Sequence, residues 1–194
     1  LAVMMILTST NFGMWGGAEN AWAAEEDVTE ISTAAEFAAM DPAGNYKLID
    51  DIEVTTPYKS EFKGTFDGDG HSITLNINVT SGHAGLFTKT GFGATIKNLI
   101  VNAVIKSSVA SYTYATGGLI GCVSGTTVIE NCGITGTITN ESTNTSPPIY
   151  IGGIAGYQTS KLTINNCYVA ADITAEKGGS ATAAGGFVGK AGST

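Results

Sequence analysis

Strict alternation of apolar and polar residues recurs along this chain. In "HSITLNINV", Ile73, Leu75, Ile77 and Val79 fall on one face and Thr74, Asn76 and Asn78 on the other. That period of two predicts a half-buried strand. "YKLIDDIEV" (46–54) predicts another strand, and "FKGTFD" (62–67) predicts one that runs into the Gly-rich turn "DGDGH" (67–71). One stretch departs from the pattern. In "TEISTAAEFAAMDPAG", Thr33 and Glu36 form a capping box, Ala34 to Ala39 favour a short helix, and Pro42 and Gly44 end it.

A longer period organises the strands. Gly85, Gly118, Gly153 and Gly186 open the phrases "GLF", "GLIG", "GIAG" and "GFVG", at spacings of 33, 35 and 33 residues. A second phrase reads "TIKNLIVNAVI" (95–105), "VIENCGITGTI" (128–138) and "TINNCYVAADI" (163–173). Its Ile96, Ile129 and Ile164 are 33 and 35 apart, as are Asn98, Asn131 and Asn166. Two phrases sharing one period signal a solenoid, because one repeat cannot bury its own apolar face and needs a like neighbour. Each period is rich in Ile, Val and Thr and has no room for a helix. It fits three short strands joined by turns, one coil of a parallel β-helix.

In that architecture equivalent residues of successive coils stack about 4.8 Å apart. Leu86, Leu119, Ile154 and Phe187 are expected as one inward stack, and Ile96, Ile129 and Ile164 as another. Asn98, Asn131 and Asn166 are expected as an amide ladder. Cys122, Tyr157 and Lys190 are expected to point outward. The glycines let the chain turn corners where a Cβ would clash. The fold class predicted is all-β, a parallel β-helix with a short N-terminal capping helix.

"GGLIG", "GGIAG" and "GGFVG", with "IKNL" and "IENC" between them, resemble GLUG-type repeats. "YKLIDDIEV" followed by "FKGTFDGDGHSI" resembles the lead-in found before such repeats, so the resemblance covers about residues 32–194. It implies a right-handed parallel β-helix at a bacterial cell surface. Such repeats occur in adhesin-like proteins and in non-catalytic regions of immunoglobulin A peptidases. The repeat brings no catalytic residue that could be transferred to this chain.

Composition narrows the partners. Of 194 residues only 13% are charged, and nine lysines stand against 17 carboxylates with no arginine, for a net charge of −8. That argues against nucleic acid, which needs a basic stripe. The 43% hydrophobic content argues against disorder, and 26 glycines call for many turns or close backbone approaches. "LAVMMIL" followed by Ala21-Trp22-Ala23 and acidic residues predicts a signal peptide at 1–23, truncated at its N-terminus. No apolar run reaches the length of a membrane span. Residues 24–60 are expected as the N-terminal cap and first strand, and 61–194 as β-helix repeats, incomplete at the C-terminus and continuing into further repeats or domains of a longer chain.

Asp67 and Asp69 could offer oxygens to calcium, but His71, Ser72 and Asn78 stand where an EF-hand loop needs acidic or amide ligands and glycine. A turn suits the Asp-Gly steps better. His71 and His83 lie near no cysteine at zinc spacing and are expected to be solvated. Asp50, Asp51 and Glu53 are expected as strand-end and turn residues rather than a glycosidase pair. Cys132 and Cys167 occupy one repeat position, where Leu99 precedes them; free buried thiols or a bridge between neighbouring coils both fit it. Tyr112, Tyr114, Tyr150, Tyr157 and Tyr168 could form a sugar-binding surface, or pack at strand edges.

These readings name no catalytic, cofactor-binding or metal-binding residue and no cofactor. They predict a non-catalytic, exported bacterial surface module for adhesion or as a stalk, with a glycan or a host or cell-surface protein as partner. The alternative is the accessory β-helix region of a larger exported peptidase or carbohydrate-active enzyme.

Overall fold

A computed structural model describes residues 27–108, 115–142, 149–175 and 182–192. The expected leader, Tyr112, Tyr114 and most of the 140–150 loop lie outside the described residues. The chain starts with strand β1 (Val28–Ile31), helix α1 (Ala34–Ala38), β2 (Asn45–Leu48), β3 (Ile52–Val54) and β4 (Tyr58–Phe62). Strands β5 (Thr65–Asp67), β6 (Ser72–Val79) and β7 (Phe87–Thr90) follow. Next come β8 (Ala94–Lys97), β9 (Ile100–Ser107), β10 (Ala115–Gly117) and β11 (Ile120–Val123). The same order then recurs as β12 (Thr127–Glu130), β13 (Gly133–Asn140), β14 (Ile149–Gly152) and β15 (Ala155–Gln158). It recurs again as β16 (Leu162–Asn165), β17 (Tyr168–Ala175), β18 (Thr182–Gly185) and β19 (Val188–Ala191).

Strands of equal rank in successive repeats are sheet neighbours. Four sheets result, ordered β1-β2-β5-β8-β12-β16, β3-β6-β9-β13-β17, β4-β7-β11-β15-β19 and β10-β14-β18. The pairings between repeats are parallel and keep the register of the sequence phrases: Ile96 faces Ile129, which faces Ile164. Strands β2, β3 and β4 already belong to these ladders, so the lead-in pairs with the repeats directly.

Alternation sorts the side chains as a period of two requires. In β9, Val101, Ala103 and Ile105 are buried, while Ile100, Asn102, Val104 and Lys106 are exposed. Leu86, Leu119 and Ile154 are fully buried, as are Ile96 and Ile129. Each such side chain contributes roughly 1.5–3 kcal/mol. At the N-terminal end, Thr33 and Glu36 close the capping box around α1. The helix drives Phe37 into an aromatic cluster, edge-on to Tyr58, Phe66 and Phe87 at 5.7–6.0 Å.

Several expectations change. "YKLIDDIEV" is two strands, β2 and β3, because the chain turns at Ile49–Asp51. The last three repeats that begin with β8, β12 and β16 hold four strands each rather than three, since β10, β14 and β18 form an additional sheet ahead of each Gly-Gly pair. The first two residues of "GLIG" and of its equivalents therefore form corners, and the strands start at the third, at Phe87, Ile120, Ala155 and Val188. Phe187 is 43% exposed rather than stacked inside, with no described strand pairing beyond its repeat. Cys122 is buried rather than exposed, and it lies outside the hydrophobic core cluster. Its short thiol stands in one row between the longer side chains of Lys89 and Tyr157.

Candidate functional site

The most regular feature is a column of amides at the corner between the β8-type and β9-type strands. Asn98, Asn131 and Asn166 all have left-handed backbones, with φ of 52°, 51° and 49°. Asn accepts that conformation more readily than most residues. Asn166 Nδ2 donates to Asn131 Oδ1 at 2.8 Å, and Asn131 Nδ2 donates to Asn98 Oδ1 at 3.0 Å. Asn98 Nδ2 donates in turn to Asp67 Oδ1 at 2.9 Å. The ladder thus ends on a carboxylate, a partner that repeat spacing did not indicate.

Beside it runs a row of alternating charge. Glu30, Lys47, Asp67, Lys97 and Glu130 are successive register partners across five strands. Lys97 pairs with Asp67 at 3.2 Å and Lys47 with Asp69 at 2.8 Å. Burial works against the Asp67 carboxylate, yet the Asn98 amide, the Asp69 N–H and Lys97 together hold its pKa below the usual range. "DGDGH" is a turn, with positive φ at Asp69 and Gly70. Among the described residues no group of three or more His, Cys, Asp or Glu side chains could hold a metal ion. A shallow cavity of about 180 Å³ beside the row is lined by Val28, Tyr46, Lys47, Asp67 and Lys97.

The other candidates are dispersed and engaged. Asp50 and Asp51 lie in the β2–β3 turn. Asp51 accepts from the Ser72 N–H, which lowers its pKa, and lies 3.5 Å from His71. Glu61 accepts from the Ser124 hydroxyl and pairs with Lys89 and Lys63, and these contacts lower its pKa. His83 is half-buried rather than solvated: its Nδ1 accepts from the Ala115 N–H at 3.1 Å. Burial, assisted by Lys89, pushes its pKa down to about 4.

Cys122, Cys132 and Cys167 are free thiols. Cys132 is buried, and burial pushes its thiol up to about 12; the thiol donates to the Glu130 carbonyl at 3.2 Å. A thiolate nucleophile is disfavoured there. The described tyrosines do not form one surface. Tyr150 is buried and packs on Tyr157 at 5.3 Å, with Lys190 donating to the Tyr150 hydroxyl at 2.9 Å. Tyr168 stands on β17, 49% exposed, in another sheet.

The family model of the GLUG motif matches residues 112–139. The chain carries a GLUG motif. No curated protein and no solved structure matches the chain. The matched GLUG stretch takes in β10, β11, β12 and nearly all of β13, one full structural period. Its glycines mark where backbones meet. A Cβ on Gly117 would lie 2.7 Å from the Gly156 nitrogen, and one on Gly156 would lie 2.6 Å from the Thr116 nitrogen. Gly117, within the matched stretch, and Gly156, in the next repeat, therefore let the β10-β14-β18 sheet fold back onto the neighbouring sheet at a distance no side chain permits.

Proposed function

We propose that this chain is a non-catalytic GLUG repeat module of an exported bacterial surface protein, serving in adhesion or as a stalk. We infer that its four ladders are the walls of one parallel β-helix, with the right-handed crossovers that parallel strands favour. The observation that carries the reading is the shared register: Ile96–Ile129–Ile164 and Asn98–Asn131–Asn166 advance one strand per repeat. A stack of this kind builds length and a continuous side wall, which suits contact with an extended partner. The use made of the titratable groups supports the non-catalytic reading. Asp51, Glu61 and Asp67 each hold backbone, amide, hydroxyl or lysine partners. Catalysis needs such groups tuned and converging on a pocket.

The test uses the purified chain with uronic-acid polymers, neutral glycans and peptides, with and without calcium. No turnover is expected. Turnover that survives repurification and disappears in Asp67→Asn or Asp69→Asn contradicts the reading. Protease shaving of intact cells checks location: fragments from residues 27–192 are expected in the supernatant, and protection until lysis contradicts export.

A further inference from the structure

The widest wall is the sheet β3-β6-β9-β13-β17, four of whose strands are eight residues long. At about 4.8 Å between strands and about 3.3 Å per residue, its four long strands present an outer face of roughly 14 by 26 Å. Its charged residues are Glu53, Lys106 and Asp172 alone. On this face Ile100, Gly133 and Tyr168 follow one another in a single row. A Cβ on Gly133 would lie 2.3 Å from Tyr168 Cζ and 2.4 Å from its Cε1. The Tyr168 ring therefore leans across Gly133 toward Ile100, and it does so because Gly133 has no side chain. Ile100 is 40% exposed and Tyr168 49%. The next row places Asn102 beside Thr135, whose hydroxyl lies 3.4 Å from the Asn102 Oδ1.

We propose that this face binds an extended neutral glycan, with Tyr168 as the platform on which one pyranose ring stacks. The near absence of charge selects against polyanions and basic peptides, which need a complementary field. The apolar groups are also separated by amides and hydroxyls. A protein interface centres instead on a contiguous desolvated apolar core. A pyranose has the matching character, an apolar C–H face edged by hydroxyls. A Tyr ring offers both an apolar face and a polar tip. Asn102 and Thr135 supply donors and acceptors beside that platform, which fixes orientation. An extended β-1,4-linked chain fits a wall of this length.

The inference deepens the surface-module reading and rests on it. The experiment titrates the isotope-labelled chain with cellohexaose, xylohexaose, mannohexaose and a galacturonic acid hexamer, following amide signals by NMR. At least one neutral hexasaccharide is expected to shift Ile100, Asn102, Gly133 and Tyr168, more strongly than the acidic hexamer does. Tyr168→Ala is expected to weaken binding about tenfold, the factor that corresponds to about 1.4 kcal/mol. Tyr168→Phe should keep most of the affinity. Gly133→Ala should lower affinity by displacing the ring, and Tyr157→Ala, on another sheet, should leave affinity unchanged. Unfolding curves of each variant separate loss of binding from loss of fold. The proposal is overturned by no shift from any neutral hexasaccharide, by preference for the acidic one, or by binding indifferent to both Tyr168→Ala and Gly133→Ala. Cleavage of a hexasaccharide would overturn the non-catalytic reading while leaving the Tyr168 result to judge the binding face by itself.

Discussion

Asn131 donates its Nδ2 to Asn98 Oδ1 at 3.0 Å and accepts from Asn166 Nδ2 at 2.8 Å, while its own backbone sits at φ 51°. One residue thus meets two demands, a left-handed corner and a bond to each neighbouring repeat. Asn131→Ala loses both, and the expected cost is about 2–3 kcal/mol from strain and exposed amide bonds. Asn131→Gly keeps the corner and loses only the bonds, so it should cost about 1 kcal/mol. Urea unfolding of both variants checks this. Equal costs would mean that the left-handed corner carries no weight.

The glycines of the repeat are not equivalent. A Cβ on Gly156 would strike Thr116 backbone atoms at 2.6 and 2.7 Å, whereas one on Gly186 meets nothing within 4 Å. Gly156→Ala is therefore expected to lower stability by about 1–3 kcal/mol, as overpacking does. Gly186→Ala should be neutral to within about 0.5 kcal/mol. Thermal unfolding of the two variants decides it, and a benign Gly156→Ala would contradict the close approach of the two sheets.

The same contrast holds for the apolar stack. Leu119 is fully buried and Phe187 is 43% exposed, although both occupy one repeat position. Leu119→Ala is expected to cost about 2–5 kcal/mol. Phe187→Ala should cost well under half as much, despite the larger side chain. Denaturant midpoints at constant slope provide the comparison, and a Phe187 cost equal to that of Leu119 would contradict its exposed placement.

Repetition made the stacked features legible. Ile96, Ile129 and Ile164 share residue type and spacing, so their alignment can be read directly, as can that of the three asparagines. The β10-β14-β18 sheet could not be read in this way. The segments "ATG", "IYIG" and "TAAG" share little beyond their final glycine, and apolar and polar residues do not alternate in them. The burial of Cys122 depends on Lys89 and Tyr157, which are neighbours only in register. The seat of Tyr168 likewise depends on Gly133, 35 positions earlier. The charge row was hidden because its early members are spaced irregularly, at residues 30, 47, 67 and 97.

His83 gives the fold a dependence on pH. Its pKa falls from an unfolded value near 6.5 to about 4 in the folded chain, through burial and then Lys89. Between those values the unfolded chain binds the additional proton, so stability rises with pH across that window. The contribution is complete above about 6.5 and is lost as pH falls toward about 4. Asp51, Glu61 and Asp67, whose pKa values are lowered, add a second loss at more acid pH. Melting temperatures measured from pH 7 to pH 4.5 should fall for the native chain and stay nearly level for His83→Gln. Parallel falls in both would contradict the role given to His83.

The central claim is that successive repeats stack in parallel at one fixed register. The Asn98 N–H donates to the Glu130 carbonyl at 3.0 Å, and the Asn131 N–H to the Asn165 carbonyl at 3.1 Å. NMR couplings transmitted through hydrogen bonds report such pairs directly, amide nitrogen to carbonyl carbon. The account predicts a correlation from Asn98 nitrogen to the Glu130 carbonyl carbon and from Asn131 nitrogen to that of Asn165. Correlations from these amides to other carbonyls, or an antiparallel exchange between the same strands, would contradict it.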